Sequence, residues 1–367
     1  MENESATQKQ FPCQQCGAKL DFAPGTTTLK CAHCGFENAI PQSEAEIEEL
    51  DFRAFLAKAA DEHETQEIQR VKCNTCAAET TMPPDAASGL CPFCGANLVF
   101  TGKTSKLIKP KYLLSFKVTQ KQAFEDFRKW IQGLWFAPGD LKRYAQSESK
   151  LAGVYVPFWT YNSDTTSFYR GERGDHYWVT ETYTTQEGGR TVTRERQVQK
   201  TRWTSVSGTV WNNFEDILIL ASKSLPKKYA DRLEPWDLKN LAPYADEYLS
   251  GFRAESYQVN LNDGFQQAQS IMEEGIRQSI RQDIGGDEQR IHSVKTQYGK
   301  ITFKHILLPV WLSAYRFRDQ IFRILINART GEVQGERPYS PWKIAAAVAA
   351  ALVVIAIIVA LASLRRQ

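Results

Sequence analysis

All eight cysteines of this 367-residue chain fall in one duplicated pattern, and nothing else in the sequence restricts the fold as tightly. Cys13-Gln-Gln-Cys16 is followed after 14 residues by Cys31-Ala-His-Cys34. Cys73-Asn-Thr-Cys76 is followed after the same gap by Cys91-Pro-Phe-Cys94. Two residues between cysteines let one tight turn aim both sulfurs at a single ion, and the longer gap is a hairpin that returns the second pair. The spacing predicts two small zinc ribbons of four cysteines each, at 11–40 and 71–100. Their ligands are Cys13, Cys16, Cys31 and Cys34, and Cys73, Cys76, Cys91 and Cys94. Two structural Zn2+ ions per chain follow, because four thiolates leave no open position for water or substrate. Gly17, Gly35 and Gly95 come directly after the second cysteine of their pairs, where a positive φ suits glycine. His33 would be a fifth ligand and is read as a surface residue.

Other uses of the cysteines fit poorly. A thioredoxin-like site needs one Cys-x-x-Cys in a βαβ setting. Disulfides need an oxidising compartment, whereas the first ten residues are polar and charged, unlike a signal peptide.

The segment 1–10 reads as a disordered start, and 41–70 as an acidic linker helix. A capping box at Ser43 and Glu46 precedes Ile47, Leu50, Ala54 and Leu56 at helical spacing. The sign then reverses. No acidic residue lies between Asp85 and Glu125, while Lys103, Lys106, Lys109, Lys111, Lys117 and Lys121 accumulate. Residues 101–118 therefore read as a basic linker that runs into a strand and faces solvent, with a phosphate- or lipid-headgroup-facing strip as the alternative. Thr101-Gly-Lys-Thr104 is no P-loop, since Asn97 stands where the motif needs its first glycine. The net charge of +3 does not by itself announce a nucleic-acid binder.

Nine tryptophans imply a sizeable core, and the sequence predicts a β-rich α+β domain over 119–340. A capping box at Thr119 and Gln122 opens a helix carrying Ala123, Phe124, Phe127, Trp130, Ile131 and Leu134. Val154–Trp159 suits a buried strand, and 176–185 with 190–203 forms a hairpin around Gly188-Gly189. Arg194, Arg196, Lys200 and Arg202 share one parity there, together with Val192 and Val198. A helix capped by Asp263 and stopped at Gly285-Gly286 buries Phe265, Ala268, Met272, Ile276 and Ile280. Strands at 290–297, 301–310, 311–317 and 321–327 complete the domain. His176, His292 and His305 read as ordinary strand residues, and no catalytic constellation stands out in the sequence.

Ile344–Leu364 is uncharged and rich in Ala, Val, Ile and Leu, long enough for a helix to cross a bilayer. Trp342, Lys343, Arg365 and Arg366 are interfacial anchors, and the expected C-terminal transmembrane helix is 343–364. With no leader expected at the start, this reads as a tail anchor with the N-terminal bulk in the cytoplasm.

With these residues in place, the chain resembles a family of bacterial tail-anchored double zinc-ribbon proteins. Its members carry labels such as TFIIB-type zinc ribbon protein or primosomal protein N′/helicase-like protein. The resemblance rests on the paired ribbons, Gly153–Trp159, Leu233-Glu-Pro-Trp-Asp237, Asp283-Ile-Gly-Gly-Asp287, Leu308–Leu312 and Asn327–Pro338. It implies a non-enzymatic adaptor at the cytoplasmic face of the inner membrane, working with SPFH-class proteins in envelope maintenance. It implies no established catalytic residue, the sequence identifies no small-molecule substrate, and the helicase label has no P-loop behind it. The competing expectation is a membrane-tethered nucleic-acid-binding protein. An enzyme with a site in the β-rich domain is the third.

Overall fold

Three strands far longer than the usual length of about five or six residues set the frame. They are Ala152–Glu187, Arg190–Leu220 and Glu288–Phe317, and the hairpin formed by the first two lies beside the third. The computed structural model describes residues 11–41, 46–58, 65–81, 88–99, 103–139, 151–317 and 320–364. The expected disordered start, the Ser43 cap, the acidic residues 61–64, Gly102 and the Arg365–Arg366 flank lie outside these.

The architecture is mixed α+β around one large sheet. The free side of the third strand is shared by three short partners in succession. Leu50–Asp51 pairs at Thr302 and Phe303, Tyr112–Leu113 at Ile306 and Leu307, and Gln320–Asn327 from Val310 onward. Sequence spacing suggested separate strands at 290–297, 301–310 and 311–317; they are one strand, kinked by a bulge at Lys300, whose φ is 44°. The hairpin is likewise much longer than 176–185 with 190–203. Its polar alternating stretches gave no sign that pairing continues to Ala152 and Leu220.

Period-two alternation sends neighbouring side chains to opposite faces of the sheet. Tyr155, Leu307 and Trp311 join the core that holds the first cysteine module and the helix Gln120–Gly133. Val154, Val156, Ile306 and Leu308 join the core that holds the second module. Further along the first face, Trp159, Tyr161 and Phe303 pack under the helix Leu261–Ile284. That helix buries Phe265, Ala268, Met272, Ile276 and Ile280, the face expected from the sequence. Its cap is Asn260, not Asp263: Asn260 Oδ1 accepts from Asp263 N at 2.8 Å. Gly285, at φ +65°, ends it. The capping box of Gln120–Gly133 at Thr119 and Gln122 is formed.

Two linker expectations are corrected. Only Phe52–Ala57 is helical among the described residues of 41–70, capped by Asp51, and Thr65–Lys72 is a strand. Residues 46–51 stay extended because Glu49 bonds Thr302, Lys304 and Asn162 of the long strands, contacts that a helix would forfeit. The basic linker 101–118 contains the strand Lys103–Ile108, which pairs with Thr65–Lys72 from Thr65↔Ile108 to Arg70↔Lys103. In that small sheet Glu67 stands in register with Lys106, and Arg70 with Lys103.

The helix Pro341–Leu364 leaves the body with no buried residue in its apolar stretch. At 1.5 Å per residue it is about 36 Å long, against a bilayer hydrocarbon core of about 30 Å. It is long and apolar enough to span a membrane.

Candidate metal centres and their seats

Each group of four cysteines converges. Within each cluster all four sulfurs lie within 4.8 Å of one another. Cys13 and Cys34 sulfurs are 3.6 Å apart, Cys16 and Cys31 3.5 Å, Cys73 and Cys94 3.6 Å, and Cys76 and Cys91 3.7 Å. These are too long for a disulfide, whose S–S bond is about 2.05 Å. They approach the edge of a tetrahedron with metal–sulfur bonds of about 2.3 Å, which is about 3.8 Å. The donor set therefore fits a tetrahedral metal ion in both places. His33 is exposed, as expected from the sequence.

The turns aim backbone N–H groups at the sulfurs. Cys34 N donates to Cys31 Sγ at 3.4 Å, and the N–H groups of Cys34 and His33 hold the Cys31 thiol down to about 6, against its burial. In the second cluster the backbone N–H groups of Cys76 and Thr75 hold Cys73 down to about 7 against its burial, whereas burial pushes Cys76 up to about 11 with the sulfurs of Cys94 and Cys73 beside it. Gly17, Gly35 and Gly95 have φ of 72°, 76° and 73°. The fourth equivalent position is Ala77, held at φ 59° although it carries a Cβ. The clusters also differ in access. Cys16 and Cys34 are exposed in the first, whereas in the second only Cys76 is partly accessible.

Neither module stands free. Phe22 meets Tyr248 edge-on at 5.3 Å between ring centroids, Ser250 Oγ donates to Leu20 O at 2.6 Å, and Gly25 N donates to Phe116 O at 2.8 Å. On the other face Arg253 Nη1 donates to Leu90 O at 2.7 Å, Ala254 N to Thr81 Oγ1 at 3.1 Å, and Arg323 Nε to Phe93 O at 3.1 Å. Residues 248–254 thus grip both modules while Arg253–Ala254 pairs with Val154–Tyr155 of the first long strand. Next to them Glu255 is buried. Its Oε1 accepts from Ser222 Oγ and Gln258 Nε2, and its Oε2 has no bonded partner among the described residues. Burial pushes its carboxyl up to about 7. No local sequence signal marks this clasp, because the Ser250–Leu20 bond joins residues 230 positions apart.

A second polar site lies where all three long strands break register. A pocket of about 400 Å³ is lined by Glu49, Asn162, Asp164, Glu215, Asp216 and Lys300, among others. Asp216 and Lys300 both have positive φ. Lys304, nearly buried, sits 3.2 Å from Glu49 Oε1 and 2.6 Å from Asp216 Oδ1. Asp164 accepts from Asn213 and faces Lys300 at 3.2 Å. Glu49, Asp164 and Asp216 are therefore already engaged by side chains of the chain itself, and the network fixes the bulges. The three histidines are not grouped. His176 bonds Glu288 at 2.8 Å, His292 lies 3.5 Å from Glu172, and His305 is buried among Trp159, Tyr257 and Phe303.

Beyond Gly174, where the third strand ends, the hairpin continues as two strands alone. At about 3.3 Å per residue the paired stretch 175–187 reaches roughly 40 Å past the sheet. Register places Arg202, Lys200, Arg196, Arg194 and Arg190 on one face with Tyr177, Val179, Tyr183 and Val198. Acids share this face across the hairpin: Asp175 is paired with Arg202, and Glu181 with Arg196.

Compared with known proteins, the chain is 24% identical over 338 residues to a Bacillus subtilis protein named "Uncharacterized protein YdjG", covering 92% of each. No family model and no solved structure matches it.

Proposed function

We propose that this protein is a zinc-dependent adaptor, anchored in the cytoplasmic membrane by Pro341–Leu364, that presents a rigid body and a projecting arm to a protein partner. Both cysteine clusters are zinc ribbons in this reading. The observation that carries it is the seating of both clusters: closed four-sulfur sites, each built into a face of one sheet and clasped by residues 248–254. A closed thiolate site organises structure and leaves no position for substrate. Zinc–thiolate sites favour a reducing compartment, which puts the body on the cytoplasmic side in this reading. The partner implied by the family resemblance is an SPFH-class membrane protein. The nearly full-length similarity to the Bacillus subtilis protein fits an integrated unit and adds nothing about activity.

A second reading is nucleic-acid binding, favoured by the single basic face of the arm. The opposing acids weigh against it, since Glu181 holds both Arg196 and Lys200 and a phosphate would have to displace it.

The test uses full-length protein extracted in mild detergent. Two zinc ions per chain and a co-purifying SPFH-class protein, lost when Cys16→Ser and Cys34→Ser empty the first site, are expected. Tight nucleic-acid binding with log K falling by about 0.9 per phosphate neutralised, and no retained protein, would refute the adaptor reading.

A further inference from the structure

The body carries exposed aromatic side chains where the apolar helix leaves it. Helix Gln120–Gly133 ends in a turn whose Leu134 and Ala137 are buried, while Trp135 and Phe136 between them are 81% and 40% exposed. Tyr339 and Trp342, at the start of the terminal helix, are 55% and 85% exposed. The two segments are tied together. Ser340 N donates to Phe136 O at 2.8 Å, and Lys343 Nζ donates to Ala137 O at 2.8 Å and Trp135 O at 3.3 Å. Trp135 therefore cannot move far from the first turn of the apolar helix.

Exposed tryptophans are costly in water, and one beside the entry of an apolar helix sits at the depth where indole is favoured, its ring among acyl carbons and its N–H among headgroups. We propose that the 135–136 turn is a second membrane contact. In this arrangement Trp135 and Phe136 insert into the headgroup–acyl boundary of the bilayer that holds the span and orient the soluble body on it. The occupant is lipid because the turn is bonded to the span: once Pro341–Leu364 is inserted, the interface is the phase these rings meet. The inference rests on the membrane reading above. It adds that the body is held in a fixed attitude, with the arm, which begins at the other end of the long strands, directed away from the membrane.

The test uses the full chain in nanodiscs of phosphatidylcholine, either plain or brominated at a shallow acyl position, with tryptophan emission as readout. Trp342→Phe removes the span's own tryptophan. In that background bromine should still quench one of the remaining tryptophans, and adding Trp135→Phe should abolish that quenched component. Both substitutions fall on exposed rings, so the fold is retained. Quenching in the unaltered chain that disappears entirely with Trp342→Phe would mean the span is inserted while the turn stands off, and would overturn the proposal alone. No quenching in the unaltered chain, with protein absent from the nanodiscs, would overturn the membrane reading and this proposal together.

Discussion

Four knuckles of one geometry, three closed by glycine and one by alanine, form a controlled comparison within a single chain. Ala77 adopts φ 59°, where Gly17, Gly35 and Gly95 adopt 72°, 76° and 73°. A left-handed alanine costs roughly 1–2 kcal/mol through the contact between its Cβ and the following carbonyl. Replacing it with glycine removes that strain but gives the unfolded chain about 0.5–1 kcal/mol of extra entropy. Ala77→Gly should therefore stabilise the second module by about 0.5–1 kcal/mol, which is about a two- to fivefold gain in apparent metal affinity where folding and binding are coupled. Gly17→Ala is the mirror experiment. Nothing lies within 4 Å of a Cβ built there, so only the backbone term changes, and the loss should be of similar size. The assay is competition against a chromophoric chelator at equilibrium, read separately for each module by pairing the substitution with Cys→Ser in the other. Weaker binding in Ala77→Gly, alongside weaker binding in Gly17→Ala, would show that the alanine is held by packing and refute the strain argument.

The clusters should release metal in order, the first before the second, because Cys16 and Cys34 face solvent whereas Cys73, Cys91 and Cys94 are buried. Chelator-driven release followed with a thiol reagent should show two phases, and a single phase would contradict this. Glu255 should make stability fall with rising pH. Its folded value of about 7 lies above the unfolded one, so the folded state retains a proton that the unfolded chain releases. The loss begins near the unfolded value of about 4 and is complete above about 7, on the order of 3 kcal/mol. Glu255→Gln should flatten that slope in denaturant titrations, and an unchanged slope would exclude Glu255 as its source.

The readable parts of this chain were those whose chemistry is local. Cysteine spacing predicts each four-sulfur cluster because two turns and a hairpin suffice to converge the sulfurs. The helices at Gln120–Gly133 and Leu261–Ile284 were legible from apolar periodicity, and the terminal helix from length and lack of charge. What the sequence hid depends on partners far along the chain. The acidic residue Glu49 pattern-matched to a helix, yet Thr302 and Lys304, more than 250 positions away, hold it extended. The lysine run resembled a linker because nothing near it shows that it pairs with residues 65–70. The seat of the cysteine modules was equally invisible. Ser250, Arg253 and Ala254 clasp them through single hydrogen bonds and a two-residue strand, and only the closed sheet brings these residues together. Short-range geometry is written into residue spacing; which face of a sheet a module covers is set by packing across the whole fold.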